Sequence, residues 1–264
     1  MMKYIKYIKN LIFLSILVLF NIRSHFEILI NNKRIKCKYD YSKKHYGGRG
    51  IYLLRENYDK LLKFLHKLIK KNDVIIDCGA NQGIFSLAFA SISLNGIVYI
   101  IEPLDVYNKI IKYNFKINNL KNYKIFNNVV SNKKKIYNLD ISKGNVSGSI
   151  VRNFGTKKID VESITIDNLV KKKKISQVDF IKMDIEGAEQ LAIEGAHRTI
   201  KKFQPIISIE TNEKDFKKIK LPINYFKFVF DNQGNFIKIN KVKRFYSNLL
   251  LIPKSKMCLL NIGS

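Results

Sequence analysis

The 264-residue sequence predicts an α/β fold: a doubly wound, mostly parallel sheet with a C-terminal antiparallel hairpin and an N-terminal apolar helix. Three observations lead there. First, the β-branched run Val74-Ile75-Ile76 ends at Asp77, passes a turn holding Gly79 and Gly83, and continues into an apolar helical stretch, 84–90. Strand, glycine turn and helix are how an open α/β sheet makes a ligand crevice at its carboxyl edge. Second, the strand-then-acid pattern returns at 97–101 with Glu102, at 180–183 with Asp184, and at 205–209 with Glu210. Third, two aromatic-rich runs, 225–230 and 236–239, flank Asp231-Asn232-Gln233-Gly234-Asn235, a strong hairpin signal.

Length and composition fit one well-cored domain with an N-terminal extension, since 46% of the residues are hydrophobic. We divide the chain into 1–24, 25–71 and 72–264. Formal charge is +27, from 48 Lys and Arg against 21 Asp and Glu, a balance that raises nucleic acid or an anionic membrane as partner. The lysines are spread over nearly every segment, including 133–135, 171–174 and Lys214, Lys217 and Lys218. No basic stripe interleaved with aromatics is visible, which argues against a dedicated nucleic-acid face. Cys37, Cys78 and Cys258 lie far apart with no Cys-x-x-Cys, so neither a disulfide framework nor a standard zinc site is expected.

From the N-terminus, Lys3, Lys6 and Lys9 precede the apolar run 11–20. The charge-free stretch 10–22 is about 20 Å long as a helix, short of a bilayer core of about 30 Å. It spans only if residues 4–10 also enter with their lysines snorkelling. No small-residue cleavage site follows it. Two readings stand: a retained anchor or uncleaved signal that makes the protein membrane-associated, or a packed helix on a cytoplasmic protein. With an anchor, the positive-inside rule leaves Lys3 to Lys9 cytosolic and puts the domain across the membrane, where Asn145-Val146-Ser147 is a glycosylation acceptor.

Residues 26–30 and 34–39 around Asn31-Asn32 predict a hairpin, and 45–50 a basic glycine-bearing loop. Residues 56–71 predict one amphipathic helix with Leu61, Leu62, Leu65, Leu68 and Ile69 on its apolar face and a structural His66. After Glu102 come a helix over 106–118, a third strand over 123–130, and an inserted meander at 137–140, 149–151 and 158–163. Thr165 caps a further helix. The fourth strand, 180–183, turns at Gly187 into a helix over 188–202, and 205–210 is the fifth strand.

The glycine spacing excludes Gly-x-Gly-x-x-Gly, and no Gly-Lys-Ser/Thr is present, so a dinucleotide fingerprint and a P-loop are both out. Asp77-Cys78-Gly79-Ala80-Asn81-Gln82-Gly83 instead resembles motif I of S-adenosylmethionine-dependent methyltransferases, with Asn81 in place of the middle glycine. That resemblance implies that Asp77, Gly79, Ala80, Asn81 and Gly83 back onto the amino-acid part of the cofactor. It also implies that Glu102 holds the ribose hydroxyls, a role suited to an acceptor-only carboxylate.

The second dense signal is 178–189, with Asp184 and Glu186 at a strand's carboxyl edge and Glu189 just beyond. Acids crowded at a buried strand end are costly unless paired or used. Lys182 is the structural partner on offer, and Glu189 also favours a helix N-terminus. Asp184 and Glu186 are accordingly the candidate catalytic residues. Asp184, Glu210 and Asn212 are oxygen donors that would suit Mg²⁺, but nothing in the sequence fixes their mutual geometry, and no metal ligand is assigned.

Together with Glu102-Pro103, Thr165-Ile166-Asp167, the block 182–189, the strand 205–210 and the closing run 248–253, these motifs resemble the FkbM-type methyltransferase family over about 72–253. The resemblance implies a class I, Rossmann-like methyltransferase fold, S-adenosylmethionine as cofactor, and O-methylation of a sugar, glycan or natural-product hydroxyl. Two competing readings are a nucleic-acid methyltransferase, prompted by the charge, and an inactive membrane-tethered domain. The first lacks the Asn/Asp-Pro-Pro-aromatic turn of nucleobase-amine methylation. The second must explain intact Gly79, Gly83, Glu102 and Asp184.

Overall fold

The structure, a computed structural model, describes Ile8, residues 10–12, Ser15, and residues 25–38, 46–141, 148–153, 155–217, 219–220, 222–242 and 245–260. Of the predicted apolar helix at 1–24, only Ile8, 10–12 and Ser15 fall among the described residues, and they are helical. Among the described residues no helix is long and apolar enough to cross a membrane. The Asn145 acceptor also lies outside them.

Strands β1 (His25–Ile30) and β2 (Lys33–Lys38) form the predicted hairpin. Asn31 and Asn32 both have positive φ, +46° and +63°, the backbone that a two-residue turn needs to match strand twist and that asparagine tolerates. Residues 45–50 were expected as a loop, but Tyr46–Leu54 is a helix. Burial of Ile51 and Tyr52 overrides the glycines, and Gly50 is useful there because a Cβ would come within 2.8 Å of the Tyr58 ring. The single helix expected over 56–71 is also broken. Asp59 is extended and accepts a 2.6 Å hydrogen bond from the Leu61 amide, so a fresh helix, Lys60–Phe64, starts there between two 3₁₀ turns. The predicted apolar face is nevertheless buried: Leu61, Leu62, Leu65, Leu68 and Ile69 all enter the core.

The main sheet follows. It begins with β3 (Val74–Cys78), the helix Ile84–Ile92, β4 (Ile97–Ile101), the helix Asp105–Ile117 and β5 (Tyr123–Phe126). The chain expected as one strand over 123–130 then leaves the sheet. Its β6 (Val129–Val130), with β7 (Ile136–Asp140) and β8 (Lys158–Ile164), makes a separate three-stranded sheet in the order β6-β8-β7. Ser149 joins that insert only through an isolated bridge to Asp140. The helix Ile166–Lys172 leads to β9 (Phe180–Met183), and β10 (Ile206–Thr211), β11 (Tyr225–Phe230), β12 (Phe236–Lys238) and β13 (Tyr246–Pro253) complete the fold.

The eight strands of the main sheet run β12-β11-β13-β10-β9-β3-β4-β5. β10, β9, β3, β4 and β5 are mutually parallel, and β13, β11 and β12 add an antiparallel edge. Adjacent residues go to opposite faces. Ile75 and Phe180 therefore pack into one core with Phe89, while Ile76 and Ile181 pack into the other. Each such buried side chain stabilises the fold by about 1.5–3 kcal/mol. Chain order reverses between β3 and β9, so the crevice outside their carboxyl ends is the topological switch point where ligands bind.

The helix expected over 188–202 is two: Glu189–Glu194 and His197–Phe203. Gly195 sits where a Cβ would lie 2.2 Å from the Ser131 carbonyl. Asp167 supplies the second helix with a cap, accepting from the amides of Arg198 (3.0 Å) and Thr199 (2.8 Å). Thr165 caps its own helix through the Asn168 amide, so both polar residues of the Thr165-Ile166-Asp167 motif are structural anchors. Asp167→Ala should lower unfolding stability by about 1–2 kcal/mol. The denaturation midpoint checks this, and an unchanged midpoint refutes it.

Candidate active site

Parallel register sets Asp77 beside Lys182 of β9 and beside Ile100 of β4. Past Asp77 the two strand tips touch through their backbones. The Asp184 amide donates to the Cys78 carbonyl (3.1 Å), and the Gly79 amide to that of Ile101 (2.9 Å). Gly79 has φ +77°, and a Cβ there would fall 2.0 Å from the Asp184 carbonyl oxygen. Any side chain would force the tips apart. Asn81 also has positive φ (+51°), and its side chain accepts from the Gln82 amide at 2.7 Å, which is how asparagine serves where a glycine would otherwise stand.

Glu102 ties this turn to the exit of β4. Its Oε2 accepts from the Asn81 amide (2.7 Å) and its Oε1 from the Leu104 amide (2.9 Å). Burial pushes its carboxyl up to about 8, outweighing the two backbone donors that favour the charged form. Asp77 is wholly buried. Its Oδ2 accepts from Ser86 Oγ at 2.5 Å, while Oδ1 has no hydrogen-bond partner among the described residues. Burial raises its pKa, with the Lys182 charge opposing.

Lys182 is buried, with Nζ 2.9 Å from Asp184 Oδ2 and 4.6 Å from the centre of the Phe85 ring. Burial alone would lower its pKa, but Asp184 and Asp77 hold the ammonium charged and its pKa above the usual value. At the next strand tip the Glu210 carboxyl is hydrogen-bonded to Asp184. Burial first, then the Asp184 and Glu186 charges, hold its pKa well above the carboxylate range. Tyr58 approaches from the N-terminal segment, and burial and the Asp184 charge raise its pKa.

Glu186, by contrast, is engaged by Arg152: Nη1 donates to Glu186 Oε2 (2.7 Å) and Nη2 to Asp215 Oδ2 (2.9 Å). Ser149 Oγ donates to the Glu186 carbonyl (2.9 Å). Glu189 Oε1 accepts from the Ile185 and Gly187 amides, ordering the turn after β9. Of the donors considered for Mg²⁺, Asn212 is turned to Asp215, donating from Nδ2 and accepting the Asp215 amide. Among the described residues no group of three or more His, Cys, Asp and Glu side chains is placed to hold a metal ion.

One cavity of about 280 Å³ joins these parts, close to the lower end of the range for small-molecule sites. Asp77, Gly79, Glu102, Lys182, Asp184 and Glu210 line its polar side, and Phe85, Ile101, Leu104, Tyr107, Val129 and Leu139 its apolar side. Ala80 and Asn81 also face it, and Glu186 lies at its margin toward Arg152, whereas Gly83 is not in the wall. Gly83 acts behind the turn, where φ is +82° and a Cβ would meet Ile111 at 2.5 Å. The pocket brings together apolar walls, the buried Glu102 carboxyl and a turn with no side chain at residue 79. Arg152, Asp215 and Tyr58 escaped the sequence reading. The signal available for Arg152 was that a two-carboxylate bridge needs a guanidinium fork, and the chain has few arginines among its 48 basic residues.

A mostly parallel sheet whose glycine turn and neighbouring acid face one cavity at the switch point is the architecture of a class I methyltransferase fold. A model of the methyltransferase FkbM domain matches residues 77–235, more than half of the chain. The chain belongs to the FkbM methyltransferase family. Among solved structures it is similar to the methyltransferase FkbM from Methylobacillus flagellatus KT, at 15% identity and a TM-score of 0.47, covering 77% of this chain and 53% of that one. It is also similar to an rRNA methylase from Streptococcus thermophilus, at 10% identity and a TM-score of 0.42 over 72% of this chain and 90% of that one. A third is a precorrin-6y C5,15-methyltransferase from Geobacter metallireducens GS-15, at 12% and 0.44 over 76% and 89%. The chain thus spans about half the length of the first of these. Comparison with curated proteins gives no match.

The raised Glu102 pKa has a sign that can be measured. The folded state holds this proton up to about pH 8, whereas the unfolded chain releases it near pH 4.3. The contribution is fully present below the unfolded value and is lost as pH rises through the folded one. Between about pH 4.5 and 8, wild-type stability should therefore fall relative to Glu102→Gln, in which this slope is removed. Denaturant titrations at pH 5, 6.5 and 8 check it, and parallel curves for the two proteins refute it.

Proposed function

We propose that the chain transfers the methyl group of S-adenosylmethionine to a hydroxyl of a sugar, glycan or natural product. The observation that carries this reading is the carboxyl pair Asp184–Glu210, on adjacent strand tips, in the cavity that also holds the glycine turn and Glu102. The cofactor supplies a methyl already activated by its sulfonium. The protein's task is then to align an acceptor oxygen with it and remove a proton. Glu102 would hold the ribose hydroxyls, and Asp77 with residues 79–83 the amino-acid portion. Asp184 would take the hydroxyl proton, with Lys182 ion-paired beneath it and the Glu210 carboxyl beside it. Glu186, bound by Arg152, would support the wall next to the acceptor.

Two measurements test this. Purified protein analysed by mass spectrometry should retain S-adenosylmethionine or its demethylated product. Asp184→Asn should keep cofactor affinity within about twofold and lower turnover by about 10²–10⁴, the range for a positioned general base. Turnover equal to wild type would remove Asp184 as the base.

A further inference from the structure

We propose that Tyr58 is a substrate-binding residue of this site: its hydroxyl donates a hydrogen bond to the oxygen that is methylated, and its ring walls the cavity beside the Asp184–Glu210 pair. The proposal deepens the methyl-transfer reading and rests on it.

The residue comes from a part of the chain that the family match does not reach. The FkbM domain model matches residues 77–235, and Ile51 and Tyr58, which both line the main cavity, precede that stretch. Their segment is firmly built in. Ile51, Tyr52, Leu61 and Leu62 are buried in the same core as Ile75 and Phe180 of the main sheet. Next to Tyr58, the Asp59 carboxylate accepts from the Leu61 amide (2.6 Å) and from Ser247 Oγ of β13 (2.6 Å). The Tyr58 amide donates to the Arg55 carbonyl at 3.1 Å. The backbone is thus tied down on both sides of Tyr58, and Gly50 leaves the ring its room.

The side chain, by contrast, is unengaged. Tyr58 is 39% exposed although it stands in a cavity wall, and its hydroxyl has no hydrogen-bond partner among the described residues. A buried tyrosine in a structural role usually finds one. The charges acting on this hydroxyl are those of Asp184, Asp59, Lys182 and Glu210, whereas those acting on Glu102 are Asp77 and Asp184. Tyr58 therefore stands with the carboxyl pair. Burial and the Asp184 charge hold the phenol above its ordinary pKa, so at neutral pH it is an uncharged donor.

An alcohol oxygen brings one proton and two lone pairs. Asp184 takes the proton. One lone pair forms the new bond to the methyl carbon, while the electrons of the breaking carbon–sulfur bond stay on sulfur. The second lone pair accepts from Tyr58, which keeps its own proton throughout. With Asp184 on one side of the oxygen and Tyr58 on another, the attacking lone pair has one direction left, which is a gain in alignment.

The test uses the full chain carrying isotope-labelled tyrosine, followed by NMR, with S-adenosylhomocysteine as the first probe. The Tyr58 ring resonance, identified by its absence from Tyr58→Phe, should shift on binding, because the ring lines the cavity that the compound enters. Transfer of tritium-labelled methyl from S-adenosylmethionine is then measured against a panel of aliphatic alcohols, phenols and methyl glycosides. For a compound that is methylated, Tyr58→Phe should lower kcat/KM by about three- to tenfold, the range for one lost hydrogen bond. The KM for S-adenosylmethionine should stay within twofold of wild type. Deleting an oxygen that bonds to nothing in the protein would leave kcat/KM unmoved if the tyrosine were merely structural, so a fall of less than threefold overturns the proposal. An unmoved Tyr58 resonance with S-adenosylhomocysteine bound also overturns it, and the resonance decides alone when no panel compound is methylated. Each of these results is obtained with S-adenosylhomocysteine bound and leaves the methyl-transfer reading standing. Failure of wild type to bind S-adenosylhomocysteine removes that reading, and the role of Tyr58 with it.

Discussion

The site depends on a lysine ammonium buried between two carboxylates. An isolated charge in that position would be strongly unfavourable, and removing one partner of such a group costs about 3–5 kcal/mol. The sheet register leaves no freedom in the matter: Asp77 and Lys182 face each other across the parallel pair β3–β9. Asp184, two residues further along, turns back to close the ion pair. The Phe85 ring covers the ammonium from the helix side. Held in this way, the tips of β3 and β9 stay close enough for the Asp184 carbonyl to rest against Gly79. The glycine turn after β3 and the acid after β9 are therefore two ends of one electrostatic unit, and the missing Cβ at residue 79 permits their close approach.

Much of this was legible in the sequence, and the parts that were not share a cause. Short apolar runs each ending in an acid located β3, β4, β9 and β10, because period and composition alone define buried parallel strands. Asn31-Asn32 announced its turn through local backbone preference. The misread elements are those where a tertiary contact overrides local preference. Tyr46–Leu54 is helical because Ile51 and Tyr52 find a core to enter. The helices after Asp59 and Gly195 restart because a side chain two or more residues away in sequence, or a carbonyl from another segment, occupies the backbone there. Within the site, Asp77, Glu102 and Asp184 could be placed at strand ends from the sequence. That Glu102 also braces the glycine turn through the Asn81 amide could not be, since this depends on the distance between two loops 21 residues apart. Arg152 comes from an insert with no motif of its own, and its role exists only once Glu186 and Asp215 are both in reach.

The charge distribution follows the same division between surface and site. Lysines dominate a chain with 48 basic residues, and acids are scarce at 21. Yet Asp77, Glu102, Asp184, Glu186, Glu210 and Asp215 gather around two adjoining hollows. Several are buried enough to hold their protons more tightly than an exposed carboxyl. The local environment of these hollows is thus set by this acidic cluster with Lys182, Arg152 and Lys214, and the +27 is a property of the whole chain. Screening by salt acts on the latter far more than on the former.

The three-stranded insert carries a further implication. Its β6–β8–β7 sheet stands apart from the eight-stranded one, and the chain between β7 and β8 delivers Ser149 and Arg152 to Glu186. Asp77, Gly79 and Glu102 come from β3, β4 and the turns that follow them, while Val129, Leu139 and Ile150 of the insert line the same cavity. The cavity is therefore walled by two separately built sheets. Sequence drift in the smaller one can reshape the apolar wall while the glycine turn and Glu102 stay where they are.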